Sequence, residues 1–219
     1  MQAPLFAALD PEAAAALRAA TNAVRVPKGG ILFREGDPGD RLYVIEEGKI
    51  KLGTASADGR DALLAIIGPG EMIGELSLFD PGPRAATATA LTDTVAREVG
   101  HDALRPWLSG RPEVAEALLR ALSQRLRKTN EAMSDLVFSD VPGRVAKALV
   151  DLGERFGVPV EGGVSVTHDM TQEELAQLVG ASRETVNKAL ADFAQRGWIR
   201  LESRSVILTD NERLARRAR

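Results

Sequence analysis

The sequence predicts an α+β chain in three parts: an N-terminal β-roll of the double-sheet jelly-roll type, a long helix, and a C-terminal winged helix-turn-helix. Three observations carry that expectation. Between Val24 and Val99 short β-prone runs alternate with glycine-bearing turns. From Pro112 to about Ser139 apolar residues recur at alternating steps of four and three. After Thr171 two helix starts follow one another closely, with Gly180 and Ala181 between the helices. The 219 residues, 44% hydrophobic and 27% charged, suffice for two modest domains with their own cores and exclude a disordered or fibrous chain.

Residues 11–20, PEAAAALRAA, read as a short helix. The β-prone runs that follow are 30–33, 41–46, 49–56, 62–67, 87–91 and 94–99, with turn signals at Pro27-Lys28-Gly29, Glu47-Gly48, Asp58-Gly59 and Pro69-Gly70. Strands at this spacing make a small roll whose interior is filled by side chains or holds one small ligand, so the fold alone does not assign a function.

In the helical stretch, Ala115, Leu119, Leu122, Leu126, Thr129, Met133 and Leu136 form a narrow coiled-coil seam. At ~1.5 Å per residue the helix is on the order of 40 Å long, more than one small domain needs for its own core, so a second copy of the helix is expected and with it a homodimer. Thr129 interrupts the seam with a polar group, which suits register or a polar partner.

The pattern breaks at Asp140-Val141-Pro142-Gly143, and a new helix is expected from about Arg144 with Asp140 as its cap. Residues 144–156 read as that helix, 157–163 as a glycine-rich loop and 164–167 as a short strand. The expected division is therefore a β-roll domain over 1–111, the long helix over 112–139, a hinge over 140–143 and a winged helix-turn-helix over 144–219.

Thr171-Gln172-Glu173-Glu174 has the form of a capping box opening a helix that runs to about Val179 and stops at Gly180. Ser182 caps a second helix over 183–196; Ala176 permits a close crossing, and Val186 and Leu190 face the core. In a helix-turn-helix the first residues of the second helix meet base edges, and here these are Arg183, Glu184, Asn187 and Lys188. Arg183 can fork onto guanine O6 and N7, Glu184 can accept from a cytosine amine, and Lys188 can donate to a second guanine. The hydroxyls of Ser182 and Thr185, with Thr171 counted beside them, suit phosphate. Residues 198–201 and 205–208 form a hairpin around 202–204, the wing, with Trp198 read as core.

Composition removes other classes. Cysteine is absent, which excludes disulfides, thiolate nucleophiles and Cys-ligated metal. His101 and His168 are far apart and are read as surface or capping residues, so no catalytic or metal residue is assigned. No run approaches a membrane span and the start MQAPLFAALD lacks a basic n-region, so a cytoplasmic protein without membrane partners is expected. Net charge is −4 over residues 1–140 and +1 over 141–219, which decides nothing by itself.

In the β domain, Gly70-Glu71-Met72-Ile73-Gly74-Glu75-Leu76-Ser77-Leu78-Phe79 followed by Pro83-Arg84-Ala85-Ala86-Thr87 has the form of a phosphate cassette. Amides at the start of a short helix over 75–78 can receive an anion, Arg84 can pair with it, and Glu75 can accept from a sugar hydroxyl; equally, Glu75 and Arg84 could simply pair with each other. With Gly74-Glu75-Leu76-Ser77, Arg84-Ala85-Ala86-Thr87, the long helix, Asp140-Val141-Pro142-Gly143-Arg144 and Ser182-Arg183-Glu184-Thr185-Val186 in view, nearly the whole chain resembles the cyclic-AMP receptor protein family, the CRP/FNR group, and its actinobacterial members most. The resemblance implies a cyclic-nucleotide-binding roll with cyclic AMP as allosteric ligand. Gly74 and Glu75 would hold the ribose, Arg84 the cyclic phosphate and Thr129 the adenine, with Asn130 reaching in from the other subunit, and Leu76, Ser77 and Ala85 count among the binding residues without a separate role. It further implies a palindromic DNA operator with TGTGA-type half-sites, and RNA polymerase as a partner. Two departures stand out. Ala85 occupies a position where the family usually carries a phosphate-binding hydroxyl, and its best-known members carry serine where this chain has Asn130 and arginine where it has Lys188, the latter replacing a two-donor fork by a point charge.

Three other readings are weaker. A regulator of the same build could answer to another small effector or bind DNA constitutively. A metal enzyme on a β-roll would need histidines clustered in the strands, and a kinase regulatory subunit would lack a recognition helix.

Overall fold

The computed structural model describes residues 11–56, 61–167, 169–203 and 205–218. Residues 1–10, the expected Asp58-Gly59 turn, His168 and Arg204 lie outside the described residues. The chain divides into two compact units, 1–128 and 129–219, and the division falls within the long helix.

The first unit opens with a helix, Pro11–Ala19 (α1), which buries Ala13 and Leu17. Eight strands follow: Asn22–Val26 (β1), Ile31–Phe33 (β2), Arg41–Glu47 (β3), Ile50–Ala55 (β4), Asp61–Ile67 (β5), Met72–Ile73 (β6), Thr87–Ala90 (β7) and Thr94–Gly100 (β8). A single turn of helix, Leu76–Phe79 (α2), sits between β6 and β7, and His101–Gly110 (α3) follows β8. The strands form two four-stranded antiparallel sheets, β1-β8-β3-β6 and β2-β7-β4-β5, which is the double-sheet roll the sequence predicts. Alternation within β3 shows how the layers are made. Tyr43 and Ile45 point inward with Ile50, Ile67, Ile73 and Ala88, whereas Leu42 and Val44 pack with Ala13, Leu17, Leu104, Val114 and Leu118 from the helices. Strands β1 and β6 and helix α3 are additions to the expected elements, and α2 begins one residue later than expected.

The long helix, Pro112–Phe138 (α4), has two faces. Val114, Leu118 and Ala121 pack against the roll, while Leu119, Leu126, Met133 and Leu136 of the seam are exposed. The exposed series continues through Val137 and Phe138, the latter 84% exposed.

In the second unit, Val141–Phe156 (α5) begins three residues earlier than expected. Asp140 is its cap, accepting from the Gly143 amide at 2.9 Å, and Pro142 sits in the first turn, where a missing N–H breaks no helical bond. The expected hinge over 140–143 thus reduces to Ser139-Asp140 between two helices. The expected loop 157–163 contains a strand, Val158–Val160 (β9), paired with Gly163–Thr167 (β10). Gln172–Val179 (α6) and Arg183–Gln195 (α7) form the helix-turn-helix, Ile199–Leu201 (β11) and Ser205–Leu208 (β12) the wing, and Asn211–Arg217 (α8), not foreseen in the sequence, closes the unit. The third sheet runs β11-β12-β10-β9, and the core gathers Val145, Leu149, Val186, Leu190, Phe193 and Leu214. Among the described residues no helix is long and apolar enough to cross a membrane, and no three His, Asp or Glu side chains gather as a metal site.

Candidate functional site

In the first unit the chain leaves β6 through Gly74, whose φ of +81° favours glycine. A Cβ there would lie 2.5 Å from Nη1 of Arg84 and 3.1 Å from the Arg41 carbonyl oxygen, so the residue is dictated by close approach as well as by backbone angle. The approach is that of a buried guanidinium. Arg84 is 4% exposed and donates from Nη1 to the Gly74 carbonyl (2.9 Å) and from Nη2 to the Arg41 carbonyl (2.8 Å). Its guanidinium carbon lies 4.5 Å from the centroid of the Phe33 ring and 5.8 Å from that of Tyr43, the two rings themselves being stacked. Its backbone is pinned on both sides, Arg84 N–H to Asp37 O and Gly36 N–H to Arg84 O. No described carboxylate lies within ion-pair reach of Arg84, and its Nε is buried without a partner. A buried cation lacking a counter-ion is costly, and the cost falls when an anion arrives.

Glu75 is the second buried charge, 1% exposed. It pairs not with Arg84 but with Arg125 of α4, whose Nη1 lies 2.5 Å from Glu75 Oε1 and whose Nη2 donates to the Met72 carbonyl. Glu75 Oε2 is buried without a partner. An ionised carboxylate only accepts, so the unused oxygen suits a hydroxyl donor. The pair of unused groups, an acceptor at Glu75 and a donor at the positively charged Arg84, fits a sugar joined to a phosphate. Around them Ser77 is buried and its hydroxyl donates to the Pro83 carbonyl (3.3 Å), Leu76 is exposed, and Ala85 is exposed and offers no hydrogen-bonding group. Burial raises the Tyr43 phenol pKa, keeping it neutral beside Arg84, whose charge pulls the other way. Thr129 and Asn130 follow Arg125 on the same helix and are exposed.

Arg125, Phe33, Tyr43 and the Arg41 carbonyl were not foreseen. Arg125 had a signal: Val114, Leu118, Ala121 and Arg125 continue one stripe at steps of four, three and four, and a charge ending an apolar stripe implies a buried partner.

In the second unit the helix-turn-helix is fixed by its caps. Thr171 and Glu174 exchange both bonds of the capping box, Glu174 N–H to Thr171 Oγ1 (3.1 Å) and Thr171 N–H to Glu174 Oε2 (2.6 Å). Gly180 turns the chain at φ +63°, and Ser182 caps α7 by accepting from Thr185 N–H (3.2 Å). Val186, Ala189, Leu190 and Phe193 bury one face of α7 and leave Ser182, Arg183, Glu184, Thr185 and Lys188 exposed. These side chains are held only by neighbours: Lys188 Nζ to Glu184 Oε1 at 2.7 Å, Arg183 to Gln172 Oε1 at 3.3 Å, and Ser182 Oγ to Thr185 Oγ1 at 2.8 Å. Asn187 is half-buried, with its Oδ1 unpartnered. Thr171 is exposed, with its hydroxyl engaged in the cap. Trp198 stacks on Phe193 at 5.5 Å under the Arg196 guanidinium, so its ring packs into the domain.

Comparison with known proteins bears on both sites. Residues 23–110 match the cyclic nucleotide-binding domain and residues 143–217 the Crp-like helix-turn-helix domain. A CRP-like cAMP-activated global transcriptional regulator of Mycobacterium tuberculosis is 58% identical over 218 residues, covering 100% of this chain and 97% of that one. A CRP/FNR family transcriptional regulator of Thermus thermophilus superposes with a TM-score of 0.76 at 30% identity, over 90% of this chain and 98% of that one. The c-di-GMP responsive global regulator CLP of Xanthomonas campestris superposes with a TM-score of 0.77 at 29% identity, over 91% and 99%.

Proposed function

The chain belongs to the CRP/FNR family of transcription regulators, and from that premise we propose that it is a homodimer that binds cyclic AMP in its roll and, so loaded, reads a two-fold-symmetric operator of TGTGA-type half-sites. It is a regulator and not an enzyme. The observation that carries the ligand reading is the buried Arg84, with no described carboxylate in ion-pair reach, beside Glu75 with its unpartnered oxygen. A cyclic phosphate brings the missing negative charge to Arg84, and the ribose hydroxyl donates to Glu75, whose other oxygen Arg125 already holds. Thr129 then meets the adenine and Asn130 the nucleotide of the partner subunit. We assign ligand binding to residues 1–111, subunit pairing to 112–139 and operator reading to 144–219, in a cytoplasmic protein that also engages RNA polymerase.

The exposed stripe of Leu119, Leu126, Met133 and Leu136 supports pairing of two copies of α4, because a single chain leaves it in water. Light scattering tests this: Leu122→Lys with Leu126→Lys gives monomers, whereas a persistent dimer would remove α4 from the interface. On the DNA side, Arg183, Glu184 and Lys188 stand exposed at the start of α7, where base edges are read.

Calorimetric titration with cyclic AMP, cyclic GMP and buffer tests the ligand reading. Saturable heat with cyclic AMP at one site per chain is expected, and none with either nucleotide would overturn it. A second reading, a different effector, is favoured by Ala85, which supplies no hydroxyl to a phosphate, and the similar Xanthomonas regulator is c-di-GMP responsive. Heat with c-di-GMP and none with cyclic AMP would establish it.

A further inference from the structure

Within the first unit Arg84 is held from three sides, and the third side is aromatic. Strand β2 ends at Phe33, which is half-buried at the margin of the inner core of the roll. Between Ile31 and Phe33 this strand advances two residues against one of β7, Ile31 lying opposite Thr89 and Phe33 opposite Ala88, and such a bulge re-aims the side chain beside it. The loop beyond Phe33 is then stitched to the segment that carries Arg84. Gly36 N–H donates to Arg84 O (2.9 Å), Arg84 N–H to Asp37 O (2.8 Å) and Glu35 N–H to Thr87 Oγ1 (3.0 Å). The two residues are thereby fixed side by side, with the Phe33 ring centroid 4.5 Å from the guanidinium carbon.

Tyr43 backs the ring. It is buried, stacks on Phe33 at 5.8 Å with 27° between the planes, and lies opposite Ile73, the residue before Gly74. The carbonyls of Gly74 and Arg41 thus hold the two Nη atoms, a stacked pair of rings holds the guanidinium, and Nε is left buried without a partner. A leucine side chain would cover much of the same surface, but only an aromatic face attracts a cation through its quadrupole, and the attraction grows where water is excluded. The placement of this one side chain matters because, of residues 83–86, Arg84 alone carries a side-chain donor. Neither ring belongs to the residues assigned to the ligand.

We propose that Phe33, backed by Tyr43, is the positioning residue for the ligand's phosphate: its ring face holds the Arg84 guanidinium in the orientation that takes the anion, by attracting the cation rather than by filling space. The proposal rests on the ligand reading above. A guanidinium already ordered by the protein spares the cost of ordering it at binding, so a loosened one weakens the nucleotide. Lysine at position 84 would keep the charge but lose the planar fork that lies against a ring, so the identity of residue 33 matters little beside it.

The test is calorimetric titration of the full-length protein with cyclic AMP, in a series at position 33 made in the wild-type and Arg84→Lys backgrounds. Replacement of Phe33 by pentafluorophenylalanine keeps the shape and apolarity of the ring and reverses its quadrupole; Phe33→Leu removes the ring. In the wild-type background both changes raise the dissociation constant about tenfold, and in the Arg84→Lys background both leave it within about twofold of that parent. A merely structural role would lower the melting temperature in Phe33→Leu and leave the fluorinated protein binding like wild type. If Phe33→Leu does not fold, the fluorinated ring decides, and if Arg84→Lys binds too weakly to titrate, the fluorinated ring in the wild-type background decides alone. Undiminished binding with the fluorinated ring, or an equal loss in the two backgrounds, overturns the proposal. A wild type that takes up no cyclic AMP removes the ligand reading itself and the proposal with it.

Discussion

Arg84 and Arg183 are both assigned to nucleotide ligands, yet they are held in opposite ways. Arg84 is 4% exposed, bonded to two carbonyls and laid against two rings. Arg183 stands in water and touches Gln172 through bonds of 3.3 and 3.4 Å. The first arrangement is held within the protein: its geometry is fixed by Gly74, Arg41 and Phe33, and low-dielectric surroundings strengthen each charge-assisted bond. The second leaves side chains free to settle on a large polyanion, where each contact is screened and the energy is spread over many. Loss of one group should therefore be severe in the roll and partial on the recognition helix.

Arg84→Leu should have the largest effect. It should lower cyclic-nucleotide affinity by ~2–5 kcal/mol in calorimetry, because the phosphate loses its buried charge partner. In the unliganded protein the same change takes their donors from the Gly74 and Arg41 carbonyls while removing a buried charge, so the dimer should stay folded with a modestly lowered melting temperature. A variant that binds like wild type would erase the contrast between the two regions. A smaller effect is expected from Gly74→Ala, which leaves Arg84 in place but drives a methyl group against its Nη1 at a φ of +81°. Nucleotide affinity should fall by about 1–3 kcal/mol, and undiminished binding would show that the placement of Arg84 is not fixed by Gly74. On the exposed side, Arg183→Ala should relax preference at one guanine by ~1–3 kcal/mol in binding-site selection while leaving other positions unchanged. A loss uniform across all sequences would turn Arg183 into a phosphate contact.

The smallest effect concerns pH. The Arg217 guanidinium, followed by the Gly143 amide, holds the Asp140 carboxyl below its ordinary value. Because the folded pKa is depressed, its contribution is full above the unfolded value of about 3.9 and is lost as pH falls through the folded value. The pair is largely exposed, so the contribution is about 1 kcal/mol or less. Thermal melts of wild type and Asp140→Asn should differ at pH 7 and draw together as the pH is lowered below the ordinary carboxylate range, and a difference independent of pH would contradict this.

The same contrast explains what could be read from the sequence. The helix-turn-helix was legible nearly to the residue because Thr171, Glu174, Gly180 and Ser182 act on backbone groups within three or four positions of themselves. The roll was legible as strands and turns, and Gly74, Glu75 and Arg84 as a motif. What escaped was tertiary: the Arg41 carbonyl acts through the backbone, Phe33 and Tyr43 through ring faces, and Arg125 across 50 residues. Among the elements, α3 was hidden by the proline within it and α8 by its seven-residue, arginine-rich length with only Leu214 buried. Pro142 has the sequence signature of a breaker because sequence does not distinguish a first-turn proline from an interior one.

In the proposed regulator a nucleotide in the roll and an operator on the recognition helices act on one equilibrium. The measurement that tests it most directly is operator affinity with and without saturating cyclic AMP, paired with cyclic-AMP affinity with and without operator. Cyclic AMP should tighten operator binding by ~1 kcal/mol or more, operator should tighten cyclic AMP by the same factor, and Thr129→Ala with Asn130→Ala should reduce this coupling more than it reduces unliganded DNA binding. Equal operator affinity in the two conditions, with the nucleotide bound, would contradict it.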